Sequence, residues 1–258
     1  MIEIAISIGI IGFALVAIIG ILPSGLNVQR EAHQDTTISQ DAAFFMEAIR
    51  NGATNNGIVT SQNLDFLTNY VEDISVATTT AATAAISPTN ATGVTYGPGT
   101  GNTPLTNGQQ ILGILSTPEF IFDTVNGMPG TNVVATNYVV ARVHGLSGNA
   151  TEQNGANTLV AFRYYMTVEI DKVNTSAYGQ ASSATYQPVL NQFLQYNLYD
   201  IRLKFAWPVI VSQSGTVTGA GRQTYRSIIS GQLLQFENNT NYPLWYFQPN
   251  SYSTNFTL

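Results

Sequence analysis

The chain has 258 residues, of which only 9% are charged, and its formal net charge is −6 at neutral pH. Lys172 and Lys204 are its only lysines, and this scarcity of positive charge argues against nucleic acid as a partner, since nucleic acid needs basic patches. The chain has no cysteine, which excludes a disulfide framework and any thiolate metal site.

An uncharged apolar segment, Ile4 to Leu22, follows directly on a single carboxylate, Glu3. As an α-helix it spans about 28 Å, close to the roughly 30 Å hydrocarbon thickness of a bilayer. Three interpretations compete: a secretory signal peptide, a plain transmembrane anchor, or a processed chain whose helix first anchors it and then packs in an assembly. The first lacks a basic stretch before the apolar run, and the second lacks the Lys or Arg usual at the cytoplasmic side.

Pro23 and the Ser-Gly pair after it interrupt the helical pattern. Proline lacks an amide hydrogen and clashes with the carbonyl four residues back, and serine and glycine have low helix propensity. We therefore expect a kink near Pro23 and a loss of regular helical hydrogen bonding within about residues 19–25. The helical pattern then resumes and ends at Asn51-Gly52, so residues 1–52 predict a stem roughly 75 Å long.

Residues 53–258 predict one globular head of α+β class, an antiparallel sheet with one face packed on the stem helix. Segment 62–74 predicts a short helix, 77–107 a long surface loop, and 109–115 one or two helical turns. The sheet is expected over about 132–236, because apolar and polar residues alternate there. Its predicted strands are 132–144, 160–170, 199–209 and 222–236.

No catalytic constellation emerges from the sequence, and we expect no enzymatic activity, cofactor or metal. His33 and His144 are the only histidines, and a lone histidine is usually structural. Glu169 and Asp171 share a strand face that could hold a cation with a third oxygen donor, although a solvated outer face is the commoner role. The glycine-rich segment 97–101 lacks the lysine followed by serine or threonine that ends a phosphate loop.

Two further features allow more than one interpretation. The aromatic tail 238–258 is typical of core packing or of an intersubunit contact. Asn-x-Ser/Thr sequons are candidate glycosylation sites, although they are no more frequent than chance gives in a chain this rich in Asn, Ser and Thr. They lie at Asn90, Asn149, Asn174, Asn238 and Asn255.

The segment Met1 to Gly25, an acidic residue, a long uncharged helix and a proline, resembles the mature amino-terminus of type IV pilins and type II secretion pseudopilins. In that family a prepilin peptidase removes a leader and the new amino-terminus is methylated. The resemblance implies a pilin-like fold in which Glu3 pairs with the terminal amine of a neighbouring subunit. Glu3 also has a simpler interpretation, as an acidic residue favoured by the helix dipole. The assembly residues that the resemblance implies are Glu3, Ile4, Ile8, Ile11, Phe13, Leu15, Ile18, Leu22 and Pro23.

The expected function is that of a structural subunit of an extracellular type IV pilus-like filament at the cell surface, polymerising with copies of itself. Before assembly such a chain is anchored in the inner membrane and meets the prepilin peptidase and the assembly machinery. The alternative is a pseudopilin or minor pilin of a secretion or DNA-uptake machine. A third class, a membrane-anchored binding or enzyme domain, is disfavoured by the missing site residues. Segments 197–208 and 221–227 are also similar to pilin-like cassette proteins of verrucomicrobial bacteria.

Overall fold

The computed structural model describes residues 2–52, 64–79, 92–125, 128–146, 162–173, 193–194, 196–212, 215–236 and 243–253. These residues form a long helix, short helices and antiparallel strands, so the α+β class is confirmed. The elements are α1 (Ile2–Arg50), a 3-10 helix (Leu64–Asn69), β1 (Val71–Thr79), β2 (Thr92–Tyr96), α2 (Gly108–Leu115), β3 (Phe120–Val125), β4 (Met128–His144), β5 (Arg163–Lys172), β6 (Leu198–Ser212), β7 (Gly215–Ser230), β8 (Gln232–Phe236) and β9 (Leu244–Gln248).

The chain divides into two compact units, Met1–Gln40 and Asp41–Leu258. The last turns of α1 therefore belong to the head unit, although sequence reasoning placed the boundary at residues 52 and 53. The reason lies in the side chains, because Ala42, Phe45 and Ile49 are buried apolar residues at helical spacing.

Helix α1 runs without interruption through 49 residues, so the predicted loss of helical structure at residues 19–25 is wrong. Pro23 removes only one amide donor, and the helix continues on both sides of it. A bend within a continuous helix is a separate property, and the kink near Pro23 stays a prediction.

The main sheet has seven antiparallel strands in the order β2-β1-β4-β5-β6-β7, with β3 paired to the first part of the long β4. The predicted strands 132–144, 160–170 and 199–209 are confirmed as β4, β5 and β6. The predicted strand 222–236 is two strands, because Gly231, with φ of +127°, turns the chain between β7 and β8. Strand β8 pairs with β9 in a separate two-stranded sheet.

The segment predicted as a helix, 62–74, is helical only in its first part, and β1 begins at Val71. The register of β1 against β4 shifts just after Val71, which makes Glu72 an extra, bulged residue. The bulge leaves Val71 and Ile74 buried three positions apart, and this spacing imitates that of a helix. A strand was therefore mistaken for a helix.

The predicted loop 77–107 also contains sheet structure. Strand β1 extends into it, and β2 pairs antiparallel beside β1, whereas residues 80–91 lie outside the described residues. The helical turns predicted at 109–115 are confirmed as α2, where the Asn107 side chain accepts a hydrogen bond from the Gln110 amide at 2.8 Å.

The head core covers one face of the main sheet, and residues of that face alternate with polar ones along β5. A buried carboxylate ties the end of α1 to this core, because Asp41 accepts hydrogen bonds from the Tyr164 hydroxyl and the Leu146 amide, each at 2.9 Å. Burial, with the charge of Asp41 beside it, raises the pKa of Tyr164 well above its ordinary value. Fully buried apolar side chains of the head include Phe45, Leu67, Ile74, Ile111, Leu112, Tyr164, Met166, Leu203, Phe205 and Phe247.

Candidate assembly surface

The first half of α1 carries an unusual number of exposed, large apolar side chains. Each of them is at least 50% exposed, and Phe13 reaches 80%. They are Ile2, Ile4, Ile6, Ile8, Ile10, Ile11, Phe13, Leu15, Val16, Ile18, Ile19, Ile21, Leu22, Leu26 and Val28.

These apolar side chains surround the helix. Successive positions of a helix are 100° apart, so residues 2, 4, 6, 8 and 10 lie on different faces. Fully burying one such side chain contributes about 1.5–3 kcal/mol, so covering the exposed part of the whole set is worth of the order of 20 kcal/mol. That exceeds the roughly 5–15 kcal/mol stability of a typical domain, so this surface requires a membrane or a protein partner. Among the described residues, α1 is the one helix long and apolar enough to cross a membrane.

The predicted assembly residues all lie on α1. Glu3 is in its first turn, and the apolar members from Ile4 to Leu22 are exposed. The side chain of Pro23 lies outside the described residues. The polar Ser7 hydroxyl donates to the Glu3 carbonyl at 2.8 Å, so it needs no partner outside the helix.

The glycines of this segment are not required by contacts within the chain. A β-carbon at Gly9, Gly12 or Gly20 would have no heavy atom within 4 Å. Each of these glycines has helical geometry that alanine adopts at lower cost. Small residues allow close approach between helices, so the glycines suit a helix that packs against others.

A second surface, the polar face of the main sheet, is built differently. Glu72 is its hub, with carboxylate oxygens 2.5 Å from Arg142 Nε, 2.5 Å from His144 Nε2 and 2.6 Å from Arg163 Nε. Asp73, the next residue, also pairs with Arg142. Two consecutive strand residues normally point to opposite faces, and it is the bulge in β1 that allows both acids to reach the same arginine.

The protonation equilibria of these two acids differ. Burial alone would raise the pKa of Glu72, but hydrogen bonds from His144 and Arg163 and the charges of His144 and Arg142 outweigh it and lower the pKa to about 2. For Asp73 burial is the larger effect, and its pKa is raised despite Arg142. Glu72 therefore carries most of the electrostatic stabilisation at this end of the sheet.

The ion pairs continue across β5, β6 and β7. Glu169 pairs with Lys204 and lies 3.6 Å from Arg202, while Asp200 bonds Arg202 at 3.0 Å and Arg226 at 2.6 Å. Glu169, one of the two acids considered as cation ligands, thus has basic partners. Asp171, the other, accepts a hydrogen bond from the Lys172 amide at 2.7 Å.

The remaining site predictions concern metal ligands, the two histidines and the glycosylation sequons. Within the described ranges no three His, Cys, Asp or Glu side chains are placed to hold a metal ion. His144 lies in the Glu72 cluster, whereas His33 lies on α1. The sequons at Asn90, Asn149, Asn174, Asn238 and Asn255 all lie outside the described residues.

Sequence reasoning missed the Glu72 cluster, because it assigned Glu72 and Asp73 to a helix. The one signal available was the pair of consecutive acids between two apolar residues, a pattern that a bulge permits and a regular strand does not.

Comparison of the chain with protein-family models, curated proteins and solved structures gives no match. The pilin-like character of the amino-terminal segment therefore stays a prediction from its residues.

Proposed function

We propose that the chain is the structural subunit of a type IV pilus-like filament, and that it polymerises with copies of itself through α1. The observation that carries this proposal is the helix itself, apolar on every face and exposed from Ile2 to Val28, with one carboxylate, Glu3, at its start.

Two features favour a packed filament core over a plain membrane anchor. The glycines of the apolar run serve no contact within the chain. Finally, α1 is about 74 Å long at 1.5 Å per residue, far more than a bilayer crossing needs.

Glu3 supplies the charge that we expect to pair between subunits. A carboxylate at the apolar end of such a helix costs several kcal/mol when it is buried without a partner. A terminal amine of the next subunit would compensate this charge, and repetition of one such head-to-tail contact generates a helical filament. The contact then sets the axial spacing of the subunits.

Cysteine cross-linking tests the proposal, since the chain has no cysteine of its own. In Phe13→Cys we expect oxidation to give disulfide-linked dimers in high yield in detergent-free assemblies, because one cysteine per chain can form one disulfide to a neighbouring subunit. The control is Thr224→Cys on the polar outer strand β7, which is exposed but lies outside the proposed core. Equal, weak cross-linking of both variants would indicate a plain anchor.

The charge of Glu3 is tested separately. Glu3→Gln is expected to leave membrane insertion intact and to reduce filament yield, measured by electron microscopy, roughly tenfold or more, because a pairing charge is lost and the apolar surface is kept. Glu31→Gln, an exposed acid on the same helix, is the matched control. Equal filament yields from the two variants would leave only the helix-dipole role for Glu3.

The alternative, a pseudopilin or minor pilin, uses the same helix contact. Abundance separates it from the first proposal, because a major subunit is the dominant protein of sheared surface fibres. Fibres in which this chain is a trace component would favour the alternative.

A further inference from the structure

A cavity of about 290 Å³ lies in the head. Its lining comes from three places: β3 and the residue Pro118 before it, the ends of β5 and β6 in the main sheet, and the β8–β9 hairpin. Most of the lining is apolar or aromatic, with Phe122, Ile170 and Tyr199 among its members. This volume is near the lower end of small-molecule sites, which run from about 300 to 1,000 Å³.

Lys172 contributes the positive charge of this cavity. Its ammonium lies 4.2 Å from the centroid of the Phe122 ring and 5.5 Å from that of Tyr196. No carboxylate among the described residues lies within ion-pair distance of this ammonium, although Lys204, the chain's other lysine, has Glu169. Aromatic rings hold a cation in place without neutralising it, so the ammonium stays available to an anion.

Asp171 does not supply the missing counter-ion. Its carboxylate accepts a hydrogen bond from the Lys172 backbone amide at 2.7 Å. Asp171 is among the residues that line the cavity, but its carboxylate does not come within ion-pair distance of the Lys172 ammonium. Burial lowers the pKa of Lys172, and the charge of Asp171 offsets this effect only in part.

Trp245 on β9 forms one of the flat walls of the cavity. Its indole Nε1 is itself buried and has no hydrogen-bond partner among the described residues. The cavity thus combines one ammonium with flat apolar walls.

We propose that this cavity binds a small carboxylic acid with a flat apolar body, its carboxylate meeting the Lys172 ammonium. The rings of the lining accommodate the apolar body. This inference concerns the head alone and does not depend on how α1 assembles.

Phenylacetate is a suitable probe, with phenylacetamide as its uncharged counterpart. The full chain in detergent micelles has two tryptophans, so its ¹H–¹⁵N spectrum should contain two indole signals, assigned with Trp207→Phe. We expect phenylacetate to shift the Trp245 signal in a saturable way and to leave the Trp207 signal in place. Phenylacetamide should bind roughly tenfold more weakly, since it lacks the charge.

The two lysines supply matched variants. Lys172→Met should weaken phenylacetate binding roughly tenfold or more, the factor expected for a charge-assisted hydrogen bond, while Lys204→Met should bind as the parent chain does. An unchanged Trp207 signal shows that each variant is folded. If Lys172→Met misfolds, Lys172→Gln replaces it, because it also removes the charge and keeps a polar side chain.

Three results would overturn the proposal: no saturable shift of the Trp245 signal with phenylacetate, equal binding of phenylacetate and phenylacetamide, or equal loss of affinity in the two lysine variants. The last would point to a general charge effect rather than to a site.

Discussion

The chain has few charged residues, and they are distributed very differently between the first half of α1 and the polar face of the sheet. Between Ile4 and Gln29 the helix has no charge, and its apolar side chains are exposed. The sheet face concentrates charges, and these pair with one another across neighbouring strands. The charged side chains of the sheet face have partners within the chain, whereas the apolar side chains of α1 are exposed.

This difference between the two surfaces indicates which of them should associate with a partner. A paired charged face gains little from a protein partner, because its ion pairs would have to be desolvated. An apolar surface gains from any partner that excludes water. Variants that change one surface should therefore leave the other's properties intact, and this separation can be tested.

The largest effect is expected for a charge placed within the apolar run. Ile11→Lys should abolish filament formation and weaken membrane insertion by about 3 kcal/mol, the cost of a charge near the centre of an apolar helix. The thermal unfolding of the head should not change. Sedimentation with membranes, electron microscopy and circular dichroism measure the three properties. Gln29→Lys, beyond the apolar run, is the control, and a similar loss there would make the effect one of net charge.

A smaller effect is expected for the hub of the charged face. Glu72→Gln should lower the free energy of unfolding by about 1–3 kcal/mol at neutral pH, because three basic side chains lose the negative charge that they share. Glu169→Gln should cost less than about 1 kcal/mol, since its partner Lys204 has a side chain 48% exposed. Urea unfolding measures both, and equal losses would contradict the role of Glu72 as hub.

The same variant has a pH signature. The pKa of Glu72 is lowered from 4.5 to about 2 in the folded chain, so its stabilisation is complete above about pH 4.5 and is lost as the pH falls through about 2. The parent chain should therefore lose more stability over this interval than Glu72→Gln does. If the free energy of unfolding had the same pH dependence in both chains, ionisation of Glu72 would not stabilise the fold.

The smallest effect concerns the bulge that positions the hub. Gly97 has φ of +135°, and a β-carbon there would lie 2.6 Å from the Glu72 carbonyl oxygen. Gly101 also has positive φ, +89°, but a β-carbon there would meet nothing within 4 Å. Gly97→Ala should therefore destabilise the head by about 1 kcal/mol more than Gly101→Ala, and should also reduce the pH dependence due to Glu72. Equal losses would mean that backbone strain alone matters.

Much of the fold could be predicted from the spacing of apolar residues along the sequence. The strands β4, β5 and β6 follow from alternation over long stretches, and α2 from helical spacing after Asn107. These patterns are local, since each residue's face depends only on its position along the element. The membrane-grade helix follows from composition and length in the same way.

Three features depended on contacts between distant residues and were not predictable. The bulge at Glu72 arises from pairing with β4, and it made a strand look helical. The break at Gly231 follows from the approach of Gln248, whose carbonyl oxygen lies 2.4 Å from where a β-carbon would be. The helix continues through Pro23 although local propensity predicted an interruption.

The sequence by itself therefore determined the elements and the exposed apolar helix, because hydrophobic spacing and chain length act over neighbouring residues. Only the tertiary structure decided which charges meet, as at Glu72, and which donors have no partner among the described residues, as at Trp245 Nε1. The physical reason is that a charge or a hydrogen bond depends on its partner in space, and strand register, bulges and turns select that partner.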